Sequence, residues 1–189
     1  MKATAAALAL LVPVIVLAAP DEKVLDDFED PSAWSVTSSD DVKAAIRPAA
    51  GAGGRAMCLD FDFGRVSGYA VARREIALAY PGNYEFTFDL RGDAPPNTLE
   101  FKLVDASGEN VWWARRPDFI FPREWQPTRF RKRHIEFAWG PTADRTLVRS
   151  AAIELVVSSS RGGKGGVCFA RLALRELPAP REGHATIVA

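Results

Sequence analysis

The sequence predicts an all-β protein, an antiparallel sandwich of two sheets, most simply a jelly roll. Three observations predict it. Short runs rich in Val, Ile, Phe, Tyr and Leu recur along the chain and are separated by clusters of Gly, Pro, Asn and Asp. Several of these runs alternate apolar and polar residues with a period of two, which sends one set of side chains to each face of a sheet. Beyond the N-terminal apolar run, no segment sustains the 3.6-residue period of an amphipathic helix. Many short strands with turn signals at this spacing belong to a sandwich.

In chain order the expected strands are residues 24–29, 56–63, 69–78, 83–91, 99–105, 111–115, 128–139, 151–158 and 167–174. Turns fall at GAGG 51–54, YPGN 80–83, GDAPPN 92–97, DASGEN 105–110 and RGGKGG 161–166, the last read as a flexible loop. Tyr84, Phe86, Phe88 and Leu90 point one way, and Glu85, Thr87, Asp89 and Arg91 the other. Leu99, Phe101 and Leu103 oppose Glu100 and Lys102; Ile135, Phe137 and Trp139 oppose His134, Glu136 and Ala138; Ile153, Leu155 and Val157 oppose Glu154. The apolar sets must share a core, so Phe86, Phe88, Phe101, Leu103, Phe137, Ile153 and Leu155 are its expected members. The polar sets then occupy outer faces. If their strands share one sheet, Asp89, Arg91, Lys102, His134, Glu136 and Glu154 line a single groove.

Both ends of the chain have their own composition. Met1-Lys2, an apolar run over 3–17 and small residues at 16–18 read as a secretory signal, cleaved after Ala18, so the protein is expected to be exported to the periplasm or beyond. A domain over 24–177 follows, and 178–189 (PAPREGHATIVA) reads as a Pro-containing linker or tail. About 170 residues suffice for one domain with a real core. A formal net charge of +0 argues against nucleic acid or an anionic membrane as partner, and no later segment is apolar enough to span a bilayer. Cys58 and Cys168 are the only cysteines. In an exported chain they either pair, tying an early strand to the last one, or stay as buried thiols. Two cysteines and two histidines so widely spaced make no metal motif.

The chemistry-bearing stretch is the middle of the chain. Trp112, Trp113, Trp125 and Trp139, four of the five tryptophans, lie there with Lys102, Arg115, His134 and Glu136. Indoles beside charged groups on strands are what a sugar ring requires: a face to stack on, and donors and acceptors for its hydroxyls. Trp112 and Trp113 are adjacent on a strand, so one of them points away from the core. Trp34 and Trp139 are expected in the core, and Tyr69 at a strand edge could cap a groove. The expected ligand set is therefore Trp112 or Trp113 with Lys102, Arg115, His134, Glu136, Glu154, Asp89 and Tyr69, for a poly- or oligosaccharide, neutral or acidic. A glycosidase would need Glu136 and Glu154 as a converging carboxylate pair. A lyase would need His134, Arg115 and Tyr69 together. Isolated strand carboxylates are more often solvated or salt-bridged, so no catalytic residues are assigned. RGGKGG lacks the Walker spacing, since no Ser or Thr follows its lysine.

LDDFEDPSAW at 25–34 together with VCFARLAL at 167–174 resembles the start and finish of family-11-type carbohydrate-binding modules, jelly rolls of the galactose-binding-domain-like superfamily. NVWWARRPDF, HIEFAWGP and AAIELVVSSSRGGKGG are similar to the N-terminal module of exported bacterial proteins that carry a discoidin module downstream. The resemblance covers roughly 24–177. It implies a non-catalytic polysaccharide-binding module, a monomer or part of a multidomain chain. Relatives have Ile-Asp in the last strand, where the aspartate helps hold calcium; Phe169-Ala170 stands there in this chain, which leaves Asp27 and Glu29 as oxygen ligands and no cofactor expected. Another branch of the superfamily with a DDFED-like start serves respiratory complex I assembly, so a protein-interaction module is the alternative on the same fold.

Overall fold

A computed structural model describes residues 22–179. The expected signal over 1–18 and most of the expected tail fall outside the described residues. Twelve strands form two antiparallel six-stranded sheets. The first sheet runs β3 (Lys43–Ala50), β4 (Arg55–Asp62), β12 (Lys164–Glu176), β6 (Tyr84–Asp93), β9 (Gln126–Arg131), with β1 (Glu22–Asp26) pairing β12. The second runs β10 (Glu136–Trp139), β8 (Val111–Phe119), β7 (Asn97–Val104), β11 (Arg149–Ser159), β5 (Gly68–Ala79), β2 (Ser35–Ser38). The first sheet ends on β3, which carries Pro48, and on β9, which carries Pro127; the second ends on two strands of four residues each.

The core lies between the sheets and is built by the alternation. Phe86, Phe88 and Leu90 of β6 meet Leu99, Phe101 and Leu103 of β7 and Ile153, Leu155 and Val157 of β11, all at most 3% exposed. Phe101 packs 4.7 Å from Phe86 and 5.7 Å from Phe130 between ring centroids, and Phe88 packs 5.8 Å from Phe169. The Phe101 contacts join the sheets face to face, while Phe88–Phe169 packs side by side within the first sheet. Phe137 departs from the expectation: it is only half-buried, edge-on to Trp112 at one open end of the sandwich.

Three strand assignments change. β2 and β3 are strands that the apolar pattern did not announce. The run 128–139 is two strands, not one: β9 belongs to the first sheet, a 3-10 turn at Lys132–His134 carries the chain across, and β10 belongs to the second. RGGKGG is a loop only in part. Gly162 (φ 78°) and Gly163 (φ 110°) take the left-handed turn open to glycine, and Lys164 already begins β12.

Cys58 and Cys168 sit directly opposite each other on β4 and β12 and are joined by a disulfide. At the other end of the first sheet's seam, Asp26 is buried. It accepts hydrogen bonds from the Trp34 indole N–H (2.7 Å) and the Phe28 backbone N–H (2.7 Å) and pairs with Arg74. These contacts hold Phe28 at a positive φ of 60° and close the first turn after β1. Among the described residues, no helix is long and apolar enough to cross a membrane.

Candidate functional site

Cross-strand register assembles one row on the outer face of the second sheet. Glu136 of β10 stands opposite Trp113 of β8, Trp113 opposite Lys102 of β7, Lys102 opposite Glu154 of β11, and Glu154 opposite Arg73 of β5. The adjacent row places Arg115 opposite Glu100, with Val156 and Val71 beyond. Tyr69 lies two positions along β5 from Val71 and is 45% exposed. Parity turns every member outward, each being two residues from its outward neighbours on the same strand, and the strand pairing brings them into rows.

The floor of this face is polar yet sealed. Glu100, 5% exposed, accepts from Arg115 Nε (3.2 Å) and Ser158 Oγ (2.9 Å) and pairs with Lys102 Nζ (3.2 Å). Arg73 donates to Glu154 (2.8 Å) and to Glu75 (2.6 Å). Arg73 is a more persistent cation for it, the hydrogen bond to Glu75 chief among the causes. Cations and carboxylates on the face are interlocked, so their positions are fixed before a ligand arrives.

Above that floor stand two indoles. Trp113 and Trp139 meet edge to face, 5.4 Å between centroids at 89°. Lys102 Nζ lies 5.2 Å from the Trp139 ring and 6.0 Å from the Trp113 ring, and the Arg115 guanidinium lies 4.7 Å over Trp113. Cations near indole faces are attracted by the ring quadrupole and hold it in one orientation. Trp139 is 46% exposed, so it offers the open ring.

Five sequence assignments are corrected or resolved by the structure. Trp139 is not in the core: the β10–β8 register shifts between Phe137 and Trp139, and that extra residue turns Trp139 to the side of Glu136. Trp112 is no platform; it is 6% exposed and its indole N–H donates to the Arg145 carbonyl (2.7 Å). Asp89 does not join the row, because β6 belongs to the first sheet, where Asp89 borders a cavity of about 330 Å³ with Glu85, Arg129, Arg171 and Arg175. Arg91 lies on that sheet too, over the Trp125 ring at 5.0 Å. His134 is in the 3-10 turn and its Nδ1 accepts the Arg131 N–H (3.2 Å). Burial first, then Arg133, Arg116 and Arg131, push its pKa below the usual histidine value.

The geometry bears on catalysis and metal binding as well. Glu136 and Glu154 are three strand positions apart in one row, roughly 14 Å at the inter-strand spacing. Glycosidase carboxylate pairs are about 5–9.5 Å apart, so these two do not form one. Tyr69 on β5 and His134 beside β10 are at opposite sides of the sheet and do not converge on Arg115. Asp27 accepts the Glu29 N–H (3.1 Å) and Glu29 faces Arg55 (3.6 Å); among the described residues no three or more His, Cys, Asp or Glu side chains cluster.

Comparison with solved structures finds this fold in carbohydrate-binding modules. A family 11 module of a cellulosomal cellulase of Clostridium thermocellum matches with a TM-score of 0.67 and 18% identity, over 83% of this chain and 95% of that one. A Clostridium thermocellum family 11 module in complex with a β-1,3-1,4-mixed-linked tetrasaccharide matches equally, over 83% and 96%. An exo-β-agarase matches at a TM-score of 0.55 and 15% identity, over 84% of this chain and 26% of the agarase. The chain thus has a family-11-like β-sandwich. No protein-family model matches the sequence. No curated protein matches it either.

Proposed function

We propose that the outer face of the second sheet binds a polysaccharide without catalysis, and that the chain is an exported binding module. The observation that carries this reading is the perpendicular Trp113–Trp139 pair, with one ring open, above fixed Lys102, Arg115, Glu100 and Glu154 and beside the exposed Glu136. A pyranose face stacks on the open indole while its hydroxyls reach charged groups held in place by each other. Cations and carboxylates on the face nearly balance, which favours a neutral glycan over an acidic one. Two of the neighbours with this fold are family 11 carbohydrate-binding modules, one of them in complex with a mixed-linked tetrasaccharide. The apolar run over 3–17 supports export, and the occurrence of the fold within a quarter of an agarase chain supports attachment to further modules. A protein-docking reading has less support. The two most exposed apolar side chains, Ile120 and Val148, lie beyond opposite ends of the strands and form no shared patch.

The test is retention on immobilised polysaccharides, with mixed-linked β-1,3-1,4-glucan as the first probe and a panel of neutral and acidic glycans beside it. Trp139→Ala should abolish retention and leave the melting temperature within about 2 °C, since the ring is half exposed. Trp112→Ala should instead cost about 3–5 kcal/mol of stability. Unchanged retention of Trp139→Ala on every glycan bound by the parent protein would overturn the reading.

A further inference from the structure

One open end of the sandwich holds a cavity of about 450 Å³ that the glycan face does not use. Its wall is apolar: Tyr84 and Trp112, both buried, with half-buried Ile135, Phe137 and Leu147. Trp112 points into it from the inward side of β8, one residue from outward-facing Trp113. Tyr84 is 1% exposed, and burial alone raises its phenol pKa to about 12, with no hydrogen bond acting against the shift.

The rim has one sign of charge. Lys132, Arg133 and Arg145 line the cavity and no carboxylate does. None of the three enters an ion pair among the described residues. Lys132 Nζ donates to the Gly82 carbonyl (2.7 Å), and the Arg145 guanidinium sits 5.2 Å over Phe137. The neighbouring His134 reports the same field, since Arg133 is the first of the charges that disfavour its protonation. In a chain with zero net charge, three cations without a carboxylate partner among the described residues, set around an apolar hole, are a local positive pole.

We propose that this end of the sandwich is a second binding site, for a small anion with an aromatic or alicyclic body, its ring against Trp112 and Phe137 and its acid group between Arg133 and Arg145. Volume and lining match a small-molecule pocket: mostly apolar, with a few convergent polar groups. Low-dielectric walls beside the cations strengthen their pull on an anion relative to open solvent. The site does not rest on the glycan reading, because none of its walls lies on the outer face.

The probe is 1-anilinonaphthalene-8-sulfonate, titrated by fluorescence against the intact protein, with uncharged N-phenyl-1-naphthylamine as its neutral counterpart. Saturable one-to-one binding of the sulfonate is expected, with the neutral compound about tenfold weaker or more, and affinity falling as salt rises. Arg133→Glu combined with Arg145→Glu should weaken the sulfonate by about tenfold or more. Gly82→Trp supplies a blocking variant that leaves the fold intact: a Cβ at Gly82 meets nothing within 4 Å, and the residue borders the cavity. It should remove sulfonate binding and leave polysaccharide retention unchanged, whereas Trp139→Ala should leave sulfonate binding unchanged. Equal affinity for the neutral compound, or undiminished binding in Gly82→Trp, overturns the proposal.

Discussion

Asp26 shows how a single side chain can set a local fold. Its carboxylate is 4% exposed and serves the Arg74 guanidinium, the Trp34 indole and the Phe28 amide together. Replacing it leaves Arg74 facing a buried void and two N–H groups without acceptors. Asp26→Ala should therefore lower the unfolding free energy by about 3 kcal/mol, the lower end for a broken buried pair because Arg74 is a quarter exposed. Urea unfolding measures it, and a loss below about 0.5 kcal/mol would show that the network is dispensable. His134 makes a pH-dependent counterpart. Its pKa in the folded protein lies below the ordinary 6.5, so the unfolded chain binds this proton more tightly. The residue has no effect on stability well above pH 6.5 and lowers it as pH falls through 6.5 toward the depressed native value. Protonation would also turn Nδ1 from acceptor to donor and break its bond from the Arg131 N–H. His134→Asn removes the titration and keeps an acceptor nearby. In thermal melts from pH 7.5 to 5, the variant should gain on the parent as the medium acidifies; a constant gap would refute the coupling.

Strand by strand, what the sequence revealed follows from physics that is local to each strand. β6, β7 and β11 alternate large apolar and polar residues over their lengths, so their inward and outward sets were readable at once. β2 and β3 were not, because SVTS and KAAIRPAA carry little apolar contrast, and each needs cover on one face only. The crossing between β9 and β10 was hidden because KRH, a 3-10 turn, contains neither Gly nor Pro. Lys102, Trp113, Glu136 and Glu154 could be grouped by parity, yet Asp89 has the same parity on the other sheet. Sheet membership depends on pairing between distant strands, which parity does not carry. Trp139 was misplaced for a different reason: one bulged residue inverts the alternation after it and has no sequence mark. The bridge between β4 and β12 gives an expectation at the same scale. It closes a sequence separation of 110 residues, which in the chain-entropy account corresponds to about 4–5 kcal/mol. Reductant should lower the urea midpoint of the parent accordingly. A protein with Cys58→Ala and Cys168→Ala should start at that lower midpoint and ignore reductant.

The whole molecule divides its labour between faces and end. One outer face carries the open indole over locked charges, the space between the sheets is filled with rings, and one end keeps an apolar hole under a positive rim. Because the chain crosses from sheet to sheet at β9–β10, the same short segment supplies Glu136 and Trp139 to the face and Phe137 to the hole. The terminal strands have a further consequence. Pro48 and Pro127 each remove a backbone donor from an outermost strand, β2 and β10 are four residues long, the latter bulged, and β1, which pairs only with β12, has five residues. A foreign strand therefore finds no long, flat row of unpaired amides to zip onto. The sandwich should stay dispersed as single particles in sedimentation velocity at concentrations where unprotected sheets stack, and Pro127→Val, which restores a donor to β9, should be the change that starts their growth into larger species.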